Sequence, residues 1–198
     1  MVHRAPAARL FVAVDPPPDV CEQLCVWARL AVREMSRHSG APPRPLDAEL
    51  LHTTLCFLGN RPIGEIESIA TQLQGCGGPS GKVSIGAPLW LPPRRPRTLA
   101  VELHDDEGRL ARIQGSVVAA LEQHGEPQPT AAAYTSPKHR HFRPHITVAR
   151  MRSNTAPHER VLPPTPALSF HPTELILYRS WLRPEGASYE ALMSYPLG

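Results

Sequence analysis

Runs of apolar residues, separated by turn-forming residues, divide this chain into short strands and amphipathic helices. Apolar runs bounded by Pro, Gly, Asn or Asp predict strands, whereas apolar residues that recur every three or four positions predict helices. The predicted strands are 9–14, 50–58, 82–91, 98–103, 145–150, 174–180 and 189–195. The predicted helices run from an N-cap at Asp19 to the turn at Ser39-Gly40, over 63–73, and from about Asp106 to Gln123. Because strands and helices do not alternate regularly, the pattern predicts an α+β fold with largely antiparallel sheets.

Length and composition agree with a folded protein. With 198 residues, 41% of them hydrophobic, the chain can bury a core in one domain or in two small lobes that share an interface. No apolar stretch is long enough to cross a membrane, and no signal-peptide pattern follows the first residues. The four cysteines contain no C-x-x-C pair, so a disulfide framework is not expected. We therefore expect a cytoplasmic protein without a membrane partner.

The charges are unevenly distributed, although the formal net charge is only +3. Acidic residues are absent between Glu67 and Glu102 and again between Glu126 and Glu159, and both gaps contain several arginines. Of the 21 basic residues only two are lysine, and the planar guanidinium of arginine suits a bidentate grip on phosphate. This distribution indicates an anionic partner, the alternative being solvated charge runs in an arginine-rich chain.

One short pattern occurs twice. His52-Thr53-Thr54-Leu55 and His145-Ile146-Thr147-Val148 both read His-x-Thr-aliphatic, and both lie in predicted strands. Side chains at i and i+2 of a strand project to the same face, so each copy presents an imidazole beside a hydroxyl. Two such pairs facing each other would supply two acid/base groups and two hydrogen-bond donors, which suits phosphate chemistry.

Each motif residue also has a structural interpretation. A single His or Thr in a strand is most often an ordinary packing or surface residue, and Thr favours sheets in any case. The same spacing in two copies favours catalysis by His52 and His145. Cys56 shares the face of Thr54, so a thiol nucleophile is conceivable, but a buried, inert thiol is the preferred interpretation.

The flanks of the two motifs resemble a known family. Two segments carry the resemblance: Leu51-His52-Thr53-Thr54-Leu55-Cys56-Phe57-Leu58-Gly59 and Phe142-Arg143-Pro144-His145-Ile146-Thr147-Val148-Ala149-Arg150. They resemble the paired signatures of the 2H phosphoesterase superfamily. Within it, they resemble the bacterial and archaeal RNA 2′,3′-cyclic phosphodiesterases, also called 2′-5′ RNA ligases. The resemblance extends from about Arg9 to Leu197. It implies one domain over 1–198, built as a bilobal α+β fold of two antiparallel-sheet lobes with helices outside, and a central cleft that carries both motifs. It implies no cofactor and no metal.

The resemblance also implies a reaction and a set of site residues. RNA or a nucleotide with a terminal 2′,3′-cyclic phosphate would be hydrolysed to a 2′-phosphate, with His145 as base and His52 as acid, although the near-symmetry of the motifs makes the exchanged roles almost equally acceptable. Thr54, Thr147 and Arg150 would bind the phosphate. No obligate protein partner is implied.

Some interpretations stay open beside this one. Phe57 and Tyr178 are candidates for stacking on a nucleobase, with core packing as the alternative. The same site could serve 2′-5′ ligation or 2′-5′ phosphodiester cleavage, and a non-catalytic RNA-binding module is the alternative of a different class.

The segment 131–141 interrupts the resemblance and is interpreted as an insertion before the second motif. It contains His139 and His141, which together with His145 suggest a metal site. We reject that interpretation because no acidic residue lies near enough in the sequence to complete one. The segment could contact RNA phosphates or form a solvated loop.

Overall fold

In the computed structural model, which describes residues 6–36, 43–93, 96–123, 142–151, 162–183 and 186–198, the chain forms nine strands and three α-helices. The strands are β1 (Ala7–Val14), β2 (Arg44–Pro45), β3 (Thr53–Pro62), β4 (Val83–Leu91), β5 (Thr98–His104), β6 (His145–Arg150), β7 (Ser169–Phe170), β8 (Glu174–Arg183) and β9 (Gly186–Pro196). The helices are α1 (Pro18–Ser36), α2 (Ile66–Leu73) and α3 (Arg109–Gln123), and short 3-10 helices span Ala48–Leu50 and Ile63–Glu65. The predicted α+β class is confirmed.

Two antiparallel sheets organise these elements. Sheet A has the strand order β3-β1-β8-β9, and sheet B has the order β2-β6-β5-β4-β7. Helix α1 contacts β2 and β6 of sheet B, whereas α3 contacts β3 of sheet A. Buried apolar residues of both sheets and all three helices form one cluster, so the helices join the two sheets through a shared core.

The two halves of the chain repeat one local arrangement. In sheet A, β1 is followed by α1 and then by β3, which pairs antiparallel with β1. In sheet B, β5 is followed by α3 and then by β6, which pairs antiparallel with β5. Each unit thus returns its last strand beside its first, and that last strand carries a His-x-Thr motif.

Several predicted boundaries are wrong for identifiable reasons. Helix α1 begins at Pro18, so Asp19 lies inside it, and the amides of Val20 and Cys21 donate to the carbonyl of Pro17. Proline at the first helical position lacks only an amide hydrogen that the helix would leave unbonded. Helix α3 begins later than predicted because the carboxylate of Asp105 accepts from the amides of Leu110 and Ala111.

The strands differ from prediction mainly at their ends. Residues 48–50 form a 3-10 turn, so β3 starts at Thr53, and it continues beyond Gly59 to Pro62. Gly59 adopts a φ of 68°, which a glycine tolerates, and the adjacent register shift lets the strand continue through a bulge. The closing strands are longer than predicted, since β8 continues to Arg183 and β9 begins at Gly186.

Candidate active site

Each His-x-Thr motif lies at the start of a strand, and the two strands belong to different sheets. In both motifs the His and Thr side chains are partly exposed, whereas the residue between them and the one that follows are buried. The buried residues are Thr53, Leu55, Ile146 and Val148. Strands β3 and β6 contact each other, so the two motif strands meet between the sheets.

A bulge follows the threonine of each motif. The register of β3 on β1 leaves Leu55 unpaired directly after Thr54. The register of β6 on β5 leaves Val148 unpaired directly after Thr147. A bulge bends its strand and increases the local twist, which re-aims neighbouring side chains, and such bulges are enriched beside active sites. The aliphatic residue of each motif therefore anchors the bulge in the core.

The two imidazoles are held by matching hydrogen bonds. His52 Nδ1 lies 2.9 Å from the carbonyl oxygen of Leu50, and His145 Nδ1 lies 2.8 Å from that of Arg143. Since a carbonyl oxygen only accepts, Nδ1 carries the hydrogen in both rings, and Nε2 is the unprotonated nitrogen of the neutral ring. The side chain of Arg143 is itself held by Glu102, with Nε donating to Oε1 at 2.8 Å.

His52 lies among aromatic rings and positive charges. Its ring centroid is 4.9 Å from that of Phe11 and 5.1 Å from that of Tyr189, which meets it edge-on. Burial lowers the pKa of His52 to about 4, and the charges of Arg150 and His145 lower it further, against the effect of the hydrogen bond to the backbone. His52 is therefore neutral at pH 7.

The two motif threonines occupy matching places. Thr54 pairs with Ala13 of β1, and Thr147 pairs with Ala100 of β5. Both alanines are completely buried, whereas both threonines are partly exposed. Opposed residues of an antiparallel pair share a face, so each hydroxyl stands beside the smallest chiral side chain.

Arg150 closes one end of the site. It is the last residue of β6, is exposed, and its Nη2 donates to the hydroxyl of Tyr189 on β9 at 3.4 Å. Tyr189 therefore contacts both the guanidinium and the His52 ring, and it links sheet A to sheet B. In the sequence, Tyr189 is only the first residue of a predicted strand, and nothing in its spacing ties it to the motifs.

An aromatic cluster around Phe11 forms the floor beside His52. Tyr178 stacks on Phe11 with a centroid distance of 5.1 Å and an interplanar angle of 19°, and its hydroxyl donates to Asp15 Oδ2 at 2.5 Å. Phe57 lies 6.1 Å from Phe11 and is 38% exposed. One face of Tyr178 is thus covered by Phe11, whereas Phe57 offers more free surface.

The other sequence candidates fall outside this constellation. Burial raises the pKa of the Cys56 thiol to about 11, which keeps it protonated and disfavours nucleophilic attack. Within the described ranges, no three His, Cys, Asp or Glu side chains are placed to hold a metal ion. The segment 131–141, with His139 and His141, lies outside those ranges. The helices that are described include none long and apolar enough to cross a membrane.

Comparison with known proteins identifies the family. The family sequence model described as the 2′-5′ RNA ligase superfamily matches residues 16–181 of this chain. A protein of Thermus thermophilus named RNA 2′,3′-cyclic phosphodiesterase is 31% identical over 192 residues, which cover 96% of this chain and 90% of the relative. Among solved structures, TT0787 of Thermus thermophilus superimposes with a TM-score of 0.72 at 28% identity, covering 96% of this chain and 97% of that one. LigT of Escherichia coli complexed with ATP gives a TM-score of 0.69 at 25% identity, covering 97% and 99%. The chain, with its two facing His-x-Thr strands, belongs to the 2′-5′ RNA ligase superfamily of 2H phosphoesterases.

Proposed function

We propose that this protein is an RNA 2′,3′-cyclic phosphodiesterase that hydrolyses a terminal 2′,3′-cyclic phosphate to a 2′-phosphate. The observation that carries the proposal is that the two motif strands contact each other and hold both imidazoles in the same way, each through Nδ1 on a backbone carbonyl. The name of the Thermus thermophilus relative supports the choice of substrate.

The reaction needs one proton acceptor and one proton donor. Water attacks phosphorus as a base removes its proton, the bond from phosphorus to O3′ breaks, and an acid protonates the departing oxygen. In both imidazoles Nδ1 faces a backbone carbonyl, which leaves Nε2 as the atom that can take either role according to its protonation. Hydroxyls of Thr54 and Thr147 donate to the non-bridging oxygens, and the guanidinium of Arg150 neutralises their charge.

The division of labour follows from the charge of each ring in the complex. His52 is neutral in the free protein, which suits a base directly. It suits an acid if the bound phosphate, by neutralising Arg150 and adding its own negative charge, raises the pKa of His52. The two assignments predict opposite changes in the pH profile, since loss of the base removes the acidic limb and loss of the acid removes the alkaline limb.

The floor of the site supplies a surface for the nucleoside. Phe57 is the better placed of the two aromatic candidates, because Tyr178 is stacked on Phe11 and bonded to Asp15. We assign nucleobase stacking to Phe57 and the support of the Phe11 ring to Tyr178.

The decisive experiment is hydrolysis of an oligonucleotide with a 2′,3′-cyclic phosphate end, with and without EDTA. We expect a 2′-phosphate product at the same rate in both, and none from the His52→Ala/His145→Ala double variant. His171→Ala, which changes an exposed histidine between β7 and β8, is the matched control and should keep full activity. Tight RNA binding without turnover would instead identify a binding module, and a 2′-5′ joined product in the presence of 5′-hydroxyl RNA would identify the ligase.

A further inference from the structure

A second arginine stands beside Arg150. Arg44 of β2 is the register partner of Arg150 in β6. Residues directly opposite in an antiparallel pair share one face of the sheet and have Cα atoms about 4.5–5.5 Å apart. Arg44 is exposed, like Arg150. The edge of sheet B therefore presents two guanidinium groups on the face that carries His145 and Thr147.

Both arginines also reach across to the same strand of sheet A. Arg150 donates to Tyr189 of β9, as described above. The guanidinium of Arg44 lies against Gly186, the first residue of β9, where a Cβ would be 3.2 Å from Nη1 and 3.5 Å from Nη2. Gly186 has a φ of 146° and lacks a side chain, so the strand can approach the guanidinium this closely. The hairpin thus positions Arg44 as well as Arg150.

The two contacts lie at different distances from the histidines. Tyr189 touches the His52 ring, whereas Gly186 lies three residues farther along extended β9. At about 3.4 Å per residue, the two contact points are roughly 10 Å apart along the strand. The guanidinium of Arg44 therefore meets β9 at the start of the strand, three residues before the tyrosine that contacts the His52 ring.

We propose that Arg44 binds a phosphate of the RNA chain other than the terminal cyclic phosphate, and that it thereby favours oligonucleotides over cyclic mononucleotides. The inference rests on the proposed function and extends it to the substrate class. Arginine suits this place because its planar fork can donate two hydrogen bonds to one phosphate. A cyclic mononucleotide carries only the phosphate that reacts, so it leaves Arg44 without a phosphate to bind.

The test compares two substrates in the Arg44→Gln variant. For a trinucleotide with a 2′,3′-cyclic phosphate end we expect KM to rise about tenfold with kcat unchanged, the scale of one charge-assisted hydrogen-bonded contact. For a nucleoside 2′,3′-cyclic phosphate we expect both constants to stay at the wild-type values. Arg112→Gln, on the exposed face of α3, is the matched control and should change neither substrate. Arg44→Lys keeps the charge but loses the planar guanidinium. Its KM for the trinucleotide should lie between those of wild type and Arg44→Gln.

Equilibrium binding of the 2′-phosphate products separates this inference from the proposed function, because it needs no turnover. The slope of log affinity against log salt for the trinucleotide product should fall by about 0.7 in Arg44→Gln, as expected for one lost contact to a single strand. An equal loss of affinity for the mononucleotide product would place Arg44 on the reacting phosphate. No loss of affinity for either product would make Arg44 a structural residue that supports β9. Each result overturns the proposal. If wild-type protein hydrolyses neither substrate, the proposed function fails while this binding comparison still decides the role of Arg44.

Discussion

The two motif strands have the same geometry and different surroundings. In each motif, Nδ1 of the His bonds a carbonyl two residues earlier, the Thr is partly exposed, and the strand bulges at the next residue. The His52 ring, however, packs against Phe11 and Tyr189, whereas the His145 strand adjoins the Arg143–Glu102 ion pair.

This difference shows that the repeated motif and its neighbours have separate tasks. The motif sets the direction of the imidazole and the hydroxyl, since its alternation and bulge recur in both sheets. The neighbouring residues set the charge, because burial among aromatic rings lowers the pKa of His52 to about 4. A symmetric pair of motifs can therefore hold one of its histidines, His52, in surroundings that lower its pKa.

The largest expected effect comes from removing either ring. We expect His52→Ala and His145→Ala each to lower kcat/KM for a 2′,3′-cyclic phosphate by roughly 10²-fold or more, the usual scale of acid/base catalysis. The residual pH profile of each variant, measured from pH 4 to 9, should keep one limb and lose the other, and the two variants should lose opposite limbs.

Near-normal hydrolysis by either single variant would contradict the two-histidine assignment. Loss of the same limb in both would mean that the two rings titrate as one coupled unit rather than as separate acid and base. Circular dichroism and thermal unfolding of each variant check that the fold is retained.

The unequal surroundings should also be visible in stability. Since folding lowers the pKa of His52 from 6.5 to about 4, the unfolded chain binds a proton more readily than the folded protein between these values. The free energy of unfolding should therefore fall as the pH decreases from 6.5 to 4, with a contribution of up to about 3 kcal/mol from this residue. Urea unfolding at pH 7 and pH 4.5 should show that the free energy of unfolding decreases less at the lower pH in His52→Gln than in wild type. An equal decrease in the two proteins would show that His52 is not desolvated in the folded protein.

The threonines test whether the shared geometry has a shared role. Thr54→Val and Thr147→Val replace each hydroxyl with a methyl group of similar shape, so only the proposed hydrogen bond to the phosphate is removed. We expect each to lower kcat/KM about tenfold, because hydrogen bonds to charged groups contribute roughly 1.5–3 kcal/mol. Steady-state kinetics on one cyclic substrate provides the comparison. A tenfold loss in one variant and none in the other would show that the phosphate contacts a single motif.

Much of this site can be predicted from the sequence because it depends on the spacing of neighbouring residues. The His-x-Thr spacing determines which side chains share a face, and the aliphatic position that completes the motif becomes the anchored bulge. The mixture of strand and helix patterns gives the fold class for the same reason. The starts of α1 at Pro18 and of α3 after Asp105 were not predicted correctly. An acidic residue near a helix start is compatible with more than one capping position.

Contacts between distant segments could not be read in this way. Phe11 and Tyr189 reach His52 through the pairing of β1, β8 and β9, and Arg44 meets Arg150 through a two-residue strand. Such contacts depend on the register of strands far apart in the chain, which neither periodicity nor composition specifies. The low pKa of His52 is a consequence of these contacts and was equally hidden.

The smallest expected effect concerns the hydroxyl of Tyr189, which joins the two regions. Tyr189→Phe keeps the ring against His52 and Phe11 and removes only the acceptor for Arg150. At 3.4 Å this hydrogen bond is long, so we expect KM for a cyclic mononucleotide to rise only about threefold with kcat unchanged, as for a contact of below about 1 kcal/mol. Tyr189→Leu also removes the edge-on ring and should lower kcat as well, because His52 loses a support. If Tyr189→Phe were as impaired as Tyr189→Leu in kcat, the hydroxyl would act on the reaction itself, and the ring would not be what orients His52.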